Sequence, residues 1–288
     1  MSLLSTPIVR ELVYGGHMLS IGCASIAAAT SMLLGRLPTP PLLVMAYLFS
    51  FGAYMINRAS EIDQDQISNP ERTRHLQGRK AALPLIAGGA FAIGYVLAFF
   101  SNLIFLIALI IPLIMALLYS VGSKKFTKII GARRLKDRLL VKNIAISIGW
   151  SLIPLLVGLY FEALSLPIVT FAIFIFLRLM SNTIFFDIRD VKADSQYGIK
   201  TMPSVYGVSA SYKLMNVIDA MAATYCLMAV ATGLLPIYSL IVLVFPLYSY
   251  AYRIAAKRSG SYGYYSDVVA DAEYLFWGPV MMIGSFLI

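Results

Sequence analysis

Long apolar runs alternate along the chain with short polar breaks, many of them marked by proline or glycine. A helix that crosses a bilayer needs about 20 apolar residues, and most of these runs approach that length. The pattern predicts nine helices, at about 11–34, 40–57, 81–100, 102–121, 139–161, 164–185, 209–233, 236–254 and 271–288. A β-barrel would alternate polar and apolar residues over about ten positions, so we favour an all-α membrane fold.

Composition supports the same class of protein. Hydrophobic residues make up 59% of the chain and charged residues only 13%, whereas a soluble domain carries about 25% charged residues. A soluble enzyme, a disordered protein and a secreted disulfide scaffold are therefore excluded as descriptions of the whole chain. We expect one polytopic transmembrane domain over residues 1–288, with nine helices around a central lipophilic cavity and a polar cap on the cytoplasmic side.

The basic residues are distributed unevenly between the two ends of the predicted helices. Most of the 23 lysines and arginines fall in four polar connections, at 58–80, 122–138, 186–208 and 253–270. The positive-inside rule places these connections in the cytoplasm. Nine spans then put the N-terminus inside and the C-terminus outside. The net charge of +9 is explained by topology and by attraction to anionic groups, and we expect no nucleic acid partner.

Two short acidic clusters follow predicted spans on the cytoplasmic side. They contain six of the 14 acidic residues: Glu61, Asp63 and Asp65, then Asp187, Asp190 and Asp194. Asn57, Glu61 and Asp65 are spaced by four residues and therefore share one face of a helix, whereas Asp63 points elsewhere. Spacings of three and four place all three carboxylates of the second cluster on one face as well.

Like charges on one helical face repel each other, so both clusters require a compensating cation. Carboxylate and amide oxygens are hard ligands that suit Mg²⁺, which also binds substrate phosphates. Two facing clusters could hold two Mg²⁺ ions around one diphosphate. The alternative is two solvated loops with scattered acids, and the pairing of two membrane-adjacent clusters disfavours it. Nearby cations can clamp phosphate oxygens, and we select Arg72, Lys124, Lys142 and Lys200.

These residues resemble the UbiA superfamily of intramembrane prenyltransferases. Its signatures are Asn-x-x-x-Asp-x-x-x-Asp after the second span and Asp-x-x-Asp-x-x-x-Asp after the sixth. Four further segments are also similar, namely Asn69-Pro70-x-Arg72, Tyr119-Ser120, Lys142-Asn143 and Gly198–Pro203. The chain departs from the family in having Glu61 where an aspartate is usual, and in lacking the proline-rich continuation after Arg72.

The resemblance implies an enzyme that uses two Mg²⁺ ions bridging a diphosphate. Its catalytic and metal-binding residues would be Asn57, Glu61, Asp65, Asp187, Asp190 and Asp194. Its expected diphosphate contacts are Arg72, Lys124, Lys142, Asn143, Lys200 and Tyr119. The implied reaction transfers a polyprenyl group, such as geranylgeranyl, from an isoprenyl diphosphate to a lipophilic acceptor in the bilayer. We expect an aromatic or quinone precursor, with geranylgeranylglyceryl phosphate in ether-lipid synthesis as the alternative.

Several charged or polar residues inside or next to the spans have a second interpretation. Arg178 and Asn182 either line the cavity or pair structurally within the bundle, and Asp219 has no motif support. Arg178 and Asp219 could also serve the ion path of a non-enzymatic transporter, although we find no internal repeat. A third acidic group, Asp267, Asp271 and Glu273, is interpreted as the acidic start of the last helix.

Overall fold

A computed structural model describes residues 6–120 and 139–287, and in this part of the chain the regular structure is helical with no β-strand. The helices are α1 (Pro7–Tyr14), α2 (His17–Leu33), α3 (Pro40–Ser68), α4 (Pro70–Gln77), α5 (Leu83–Phe99), α6 (Leu103–Ala108), α7 (Ile110–Ser120), α8 (Val141–Tyr160), α9 (Leu166–Gln196), α10 (Met202–Ala231), α11 (Val244–Ser259), α12 (Tyr262–Tyr264), α13 (Asp271–Leu275) and α14 (Trp277–Leu287). Short 3₁₀ turns occur at Lys80–Ala82 and Ile237–Leu243, and a π-helix at Tyr265–Ala270. The all-α prediction is confirmed.

Proline positions explain where the long helices begin. α3, α9 and α10 each carry a proline in the first turn, where its missing N–H costs nothing and its fixed φ suits the helix. At α10 the side chains of Thr201 and Ser204 also form a capping box, which satisfies backbone N–H groups at the helix start. The sequence therefore determines these starts locally, before any tertiary packing.

The predicted count of nine spans is not confirmed. Within the described residues, seven helices are long and apolar enough to cross a bilayer, or eight if α1 and α2, which bend by 62°, count as one. The predicted span 271–288 is divided into α13, with 5 residues, and α14, with 11. Neither reaches the length of about 20 residues that a span needs. Hydropathy does not reveal this break at Phe276.

α9 is the central helix of the bundle. It contacts α8 and α10 on either side, and Phe171, Phe174 and Ile175 pack with Trp277 of α14 in the largest core cluster. The outer surface is also apolar, since Leu247 is 70% exposed and Phe286 is 83% exposed. A water-facing protein would hide such side chains, so these surfaces face lipid. That the chain forms one domain over residues 1–288 stays a prediction.

α3 and α9 extend well beyond their predicted ends. The sequence placed these ends at residues 57 and 185, but the helices continue to Ser68 and Gln196. Both acidic clusters therefore lie on unbroken helical turns at the same end of the bundle. This extension gives the carboxylates the fixed spacing that their sequence intervals predict.

A buried polar quartet joins four helices inside the bundle. The Arg178 guanidinium donates to Asp219 and, at 2.8 Å, to Glu273. Arg253 lies 2.6 Å from the second oxygen of Asp219. Two cations and two carboxylates thus balance each other between α9, α10, α11 and α13. Of the two interpretations offered for Arg178, the structural pairing is the one that these contacts support.

The quartet predicts a stability test with a matched control. In Asp219→Asn, two buried guanidinium groups lose a shared carboxylate, which costs about 3–5 kcal/mol. Asp63→Asn makes the same change where the side chain is 82% exposed and forms a surface ion pair with Lys80, so its cost is at most about 1 kcal/mol. Thermal unfolding in detergent should show a clearly lower Tm for Asp219→Asn. Equal Tm values for the two variants would refute the structural role.

Candidate active site

One cavity of about 390 Å³ lies between α2, α3, α7, α8 and α9, a volume typical of small-molecule sites. Its deep wall is apolar and includes Cys23, Met45, Phe49, Phe105, Leu109, Trp150, Ile153 and Val157. Its other end is polar and is lined by Asn57, Arg58, Glu61, Asp65, Arg72, Lys142, Arg189, Asp190 and Asp271. The cavity therefore suits an amphiphilic molecule with a charged head and an apolar tail.

All three residues of the first motif line this polar end. The side-chain nitrogen of Asn57 donates to Glu61 at 2.7 Å. The side-chain oxygen of Asn57 accepts a hydrogen bond from the Ser120 hydroxyl of α7 at 3.4 Å. Asp65, the third member, is buried. The predicted shared face is confirmed by the position of all three side chains on the cavity wall.

Two arginines hold the Asp65 carboxylate. Arg58 donates to one oxygen of Asp65 and, at 3.2 Å, to Glu61. Arg72 donates to the other Asp65 oxygen at 2.9 Å. Burial alone would lower the pKa of Arg72, but Asp65, Tyr54 and Asp267 outweigh this effect and keep it above its ordinary value. Both guanidinium groups are therefore charged and lie at the cavity mouth.

The second motif is divided between the cavity wall and the interior. Asp190 lines the cavity and accepts two hydrogen bonds from Arg189, at 2.7 and 2.8 Å. Asp187 and Asp194 are fully buried and are not among the lining residues. Asp187 lies 2.8 Å from the Lys142 ammonium. Only one carboxylate of this motif thus faces the cavity directly.

Asp267 connects the two motifs, a role that the sequence did not predict, since the residue was interpreted there as part of a helix start. Its carboxylate accepts hydrogen bonds from Asn69 and Arg189 and lies 3.6 Å from the Arg72 guanidinium. Arg72 reaches the first motif and Arg189 the second, so Asp267 lies between them. The residue is carried by the π-helix Tyr265–Ala270, a geometry often found at functional sites and invisible to α-helical spacing.

Asp271 also lines the polar end. Burial and the nearby Asp267 carboxylate raise the pKa of Asp271 to about 8, against the opposing effect of three arginines. Burial therefore favours the neutral form of this carboxyl, which can donate a hydrogen bond. Asp271 and Glu273 do lie in the first turn of α13, as the helix-start interpretation predicts. Asp267, in contrast, precedes that helix and pairs with Arg72 and Arg189.

An aromatic pair forms part of the cavity wall above the motifs. The rings of Trp150 and Tyr274 lie 4.6 Å apart between centroids, and both residues line the cavity. Asn182 donates to the Tyr274 hydroxyl at 3.0 Å and to Glu273 at 3.3 Å. Asn182 is therefore placed behind the wall, where it links Tyr274 to the buried quartet.

The polar end of the cavity contains oxygen atoms that could bind a hard divalent cation. Among the described residues, no three His, Cys, Asp or Glu side chains are already grouped as a metal site. Oxygen donors are nevertheless concentrated here on α3 and α9. Within the part of the chain that the structure describes, the buried Asn143 side-chain oxygen has no hydrogen-bond partner, although the amide nitrogen of Asn143 donates to Asp187 at 2.8 Å. Carboxylate and amide oxygens of this kind fit Mg²⁺.

The remaining predicted contacts have different outcomes. Tyr119 and Lys142 line the cavity, whereas Asn143 lies behind it next to Asp187. Lys200 is exposed and is not a lining residue. Lys124 lies outside the described residues. Arg58 and Arg189 were not selected from the sequence, because nothing in the charge pattern separates them from the topology-determining arginines around them.

A family model decides what kind of protein this is, because the model of the UbiA prenyltransferase family matches residues 7–262. The chain belongs to the UbiA prenyltransferase family. It is therefore a polytopic membrane enzyme that transfers prenyl groups, and the transporter alternative is set aside. No curated protein sequence matches the chain.

Solved structures of UbiA homologues share the fold. One from Archaeoglobus fulgidus, bound to GPP and Mg²⁺, has a TM-score of 0.72 and 15% identity, covering 96% of this chain and 98% of that one. An apo homologue from Aeropyrum pernix K1 has a TM-score of 0.63 and 17% identity, with coverages of 94% and 96%. A digeranylgeranylglyceryl phosphate synthase has a TM-score of 0.59 and 14% identity, with 97% of each chain covered. At these identities the likeness concerns the fold alone.

The position of Asp267 leads to a testable prediction on local order. In Asp267→Asn the Arg189 guanidinium loses a charged hydrogen-bond acceptor, worth about 1.5–3 kcal/mol, and Arg72 loses an ion pair. Amide hydrogen exchange in peptides covering residues 262–275 should become about tenfold faster or more. Glu71→Gln is the control, because Glu71 is exposed and bonded to Tyr14. Unchanged exchange in Asp267→Asn would show that Asp267 does not hold this segment.

Proposed function

We propose that this UbiA-family enzyme transfers a polyprenyl group from an isoprenyl diphosphate to a lipophilic acceptor in a Mg²⁺-dependent reaction. The observation that carries the proposal is the placement of the whole first motif, and of Asp190 from the second motif, at the polar end of one otherwise apolar cavity. A fold shared with a homologue bound to GPP and Mg²⁺ supports the donor class and the ion.

The metal would be held by oxygens of the two motifs. We propose Asn57, Glu61 and Asp65 on α3 and Asp190 on α9 as the donors that face the cavity. Asp187 and Asp194 complete the second motif from the interior, and two ions remain our proposal for the number. When bound, Mg²⁺ neutralises the negative charge of the diphosphate and of the product that leaves. Glu61 is one methylene longer than the usual aspartate and should reach further into the cavity.

The cations of the polar end would bind the diphosphate oxygens. Arg72 and Lys142 are retained from the sequence prediction, and Arg58 and Arg189 are added because they line the same end. Guanidinium groups form bidentate hydrogen bonds with phosphates and stabilise the charge that develops as the C–O bond breaks. Lys200 is not included, since its side chain is exposed away from this lining.

The apolar part of the cavity would hold the prenyl chain and exclude water. Phe49, Phe105 and Trp150 line it, and aromatic faces can stabilise the allylic cation that ionisation leaves behind. A dry cavity also protects this cation from water until the acceptor attacks. The electron pair of the broken C–O bond departs with the diphosphate. The acceptor then forms the new bond to the prenyl carbon, and the proton it loses passes to the released diphosphate.

For the acceptor we propose an aromatic or quinone precursor. The adjacent Trp150 and Tyr274 rings, 4.6 Å apart between centroids, offer a surface on which a planar acceptor can stack. The alternative acceptor is geranylgeranylglyceryl phosphate, which the fold-level likeness to a digeranylgeranylglyceryl phosphate synthase supports. Membranes incubated with labelled geranylgeranyl diphosphate and a panel of both acceptor classes distinguish the two.

We also propose that the polar end faces the cytoplasm, with the N-terminus inside and the C-terminus outside. The support for this orientation is the concentration of lysine and arginine in the connections at the polar end. The orientation has a functional consequence, because a soluble diphosphate donor head would then enter from the cytoplasm while its tail stays within the bilayer.

Charge-removing substitutions test the proposed chemistry. Asp65→Asn and Asp190→Asn keep side-chain size but remove one metal-binding charge from each motif, and prenyl transfer should fall by about 100-fold or more. Asp63→Asn makes the same change on the exposed face of α3 and should retain wild-type activity. Transfer is measured with the acceptor panel at several Mg²⁺ concentrations. Wild-type activity in both motif variants would refute the assignment of the motifs.

A further inference from the structure

A groove on the outside of the bundle is separate from the catalytic cavity. It runs between α10 and α11 and is lined by Tyr212, Asn216, Tyr250, Arg253, Ile254, Lys257 and Arg258. None of these residues lines the catalytic cavity. Its lining includes three cations and no carboxylate, so its chemistry suits an anion.

Lys257 and Arg258 supply the unbalanced charge of the groove. Arg253 forms part of it but is only 2% exposed, and its charge is balanced by Asp219 at 2.6 Å. Lys257 and Arg258 are exposed in the last turn of α11, and neither is paired with an acidic side chain within the described residues. The Lys257 ammonium lies 5.7 Å from the centre of the Tyr212 ring, which directs it toward α10.

The groove continues into an apolar strip that faces lipid. Leu247 lies seven residues before Ile254 on α11, and Tyr250 lies seven residues before Lys257, so each pair shares one helical face. Leu247 and Tyr250 are both exposed. A molecule in the groove would therefore meet cations at one end and a bilayer-facing apolar surface at the other. This arrangement matches a lipid and is not required by a small soluble anion.

The groove also lies at the depth where lipid headgroups are found. The candidate span formed by the 3₁₀ turn and α11 ends at Ser259, one residue after Arg258. On α10, Gly207 interrupts the helix with a positive φ of 83°, so its straight part begins about one turn before Tyr212. Tyrosines with an apolar body and a polar tip are typical of the membrane–water boundary.

We propose that this groove binds the phosphate-bearing headgroup of an anionic glycerophospholipid, with the acyl chains along the adjacent strip. Lys257 and Arg258 contact the headgroup, Tyr212 and Tyr250 lie at the boundary, and buried Arg253 closes the floor. Basic pockets between membrane helices bind anionic headgroups through the same combination of charge and position. The site is independent of the transferase reaction, whose assay therefore serves as a separate control.

Native mass spectrometry with defined lipids tests the proposal. The probes are phosphatidylglycerol, phosphatidylcholine with the same acyl chains, and free glycerol 3-phosphate as the soluble source of phosphate. The wild-type protein should retain phosphatidylglycerol in preference to phosphatidylcholine. Lys257→Ala/Arg258→Ala should lower the phosphatidylglycerol affinity about 25-fold, because each cation at an anionic surface contributes a factor of about five. Glycerol 3-phosphate should not displace the lipid.

A matched control removes two exposed charges elsewhere. Arg36→Ala/Arg74→Ala should keep the wild-type preference, and the charge-conserving Lys257→Arg/Arg258→Lys should keep it as well. If the double alanine variant fails to fold, the single variants decide the question, with an expected loss of about fivefold each. An unchanged preference in the alanine variants overturns the proposal. Binding of glycerol 3-phosphate as tight as that of the lipid also overturns it, and assigns the groove to a soluble phosphate compound.

Discussion

The structure depends on keeping opposite charges paired where little water is present. An unpaired carboxylate at the edge of a bilayer is costly, and removing one partner of a buried pair costs several kcal/mol. At the polar end of the cavity, Asp65 is held by Arg58 and Arg72, and Asp190 by Arg189. Asp267 lies between Arg72 and Arg189. The charges proposed to bind a diphosphate and its cation thus also connect α3 to α9, through Arg72 on α4 and Asp267 on the π-helix.

The same constraint operates a second time deeper in the bundle. The quartet of Arg178, Asp219, Arg253 and Glu273 balances its charges between four helices. Asn182 extends it to Tyr274 on the cavity wall. Two polar networks therefore support the cavity, one at its mouth and one behind its wall, while the remaining walls are apolar. This division explains how a chain with few charges can build both a charged mouth and a lipophilic interior.

Much of the fold could be predicted from the sequence, because the signals are local. Apolar runs located the helices, and spacings of three and four residues placed each motif on one face of α3 or α9. The break within 271–288 could not be predicted, since the residues on both sides of Phe276 are equally compatible with a continuous helix. The described residues therefore do not confirm the count of nine spans, because they contain seven or eight helices long and apolar enough to cross a bilayer.

The site was only partly predictable for a different reason. The motif residues were found because their spacing is regular, whereas Asp267 reaches the site through a π-helix that changes the register of its side chains. Arg58 and Arg189 resemble any basic residue beside a span until their contacts with Asp65 and Asp190 are known. Lys200 was selected by its neighbours in sequence, but its side chain is exposed rather than directed to the cavity.

The most direct test of the central claim is an experimental structure with Mg²⁺ and a non-hydrolysable geranylgeranyl diphosphate analogue. We expect the diphosphate between Asp65 and Asp190, with Arg72 and Lys142 in contact with its oxygens and the prenyl chain against Trp150. A diphosphate bound elsewhere, for example between α10 and α11, with no ligand atoms beside either motif, would contradict the account.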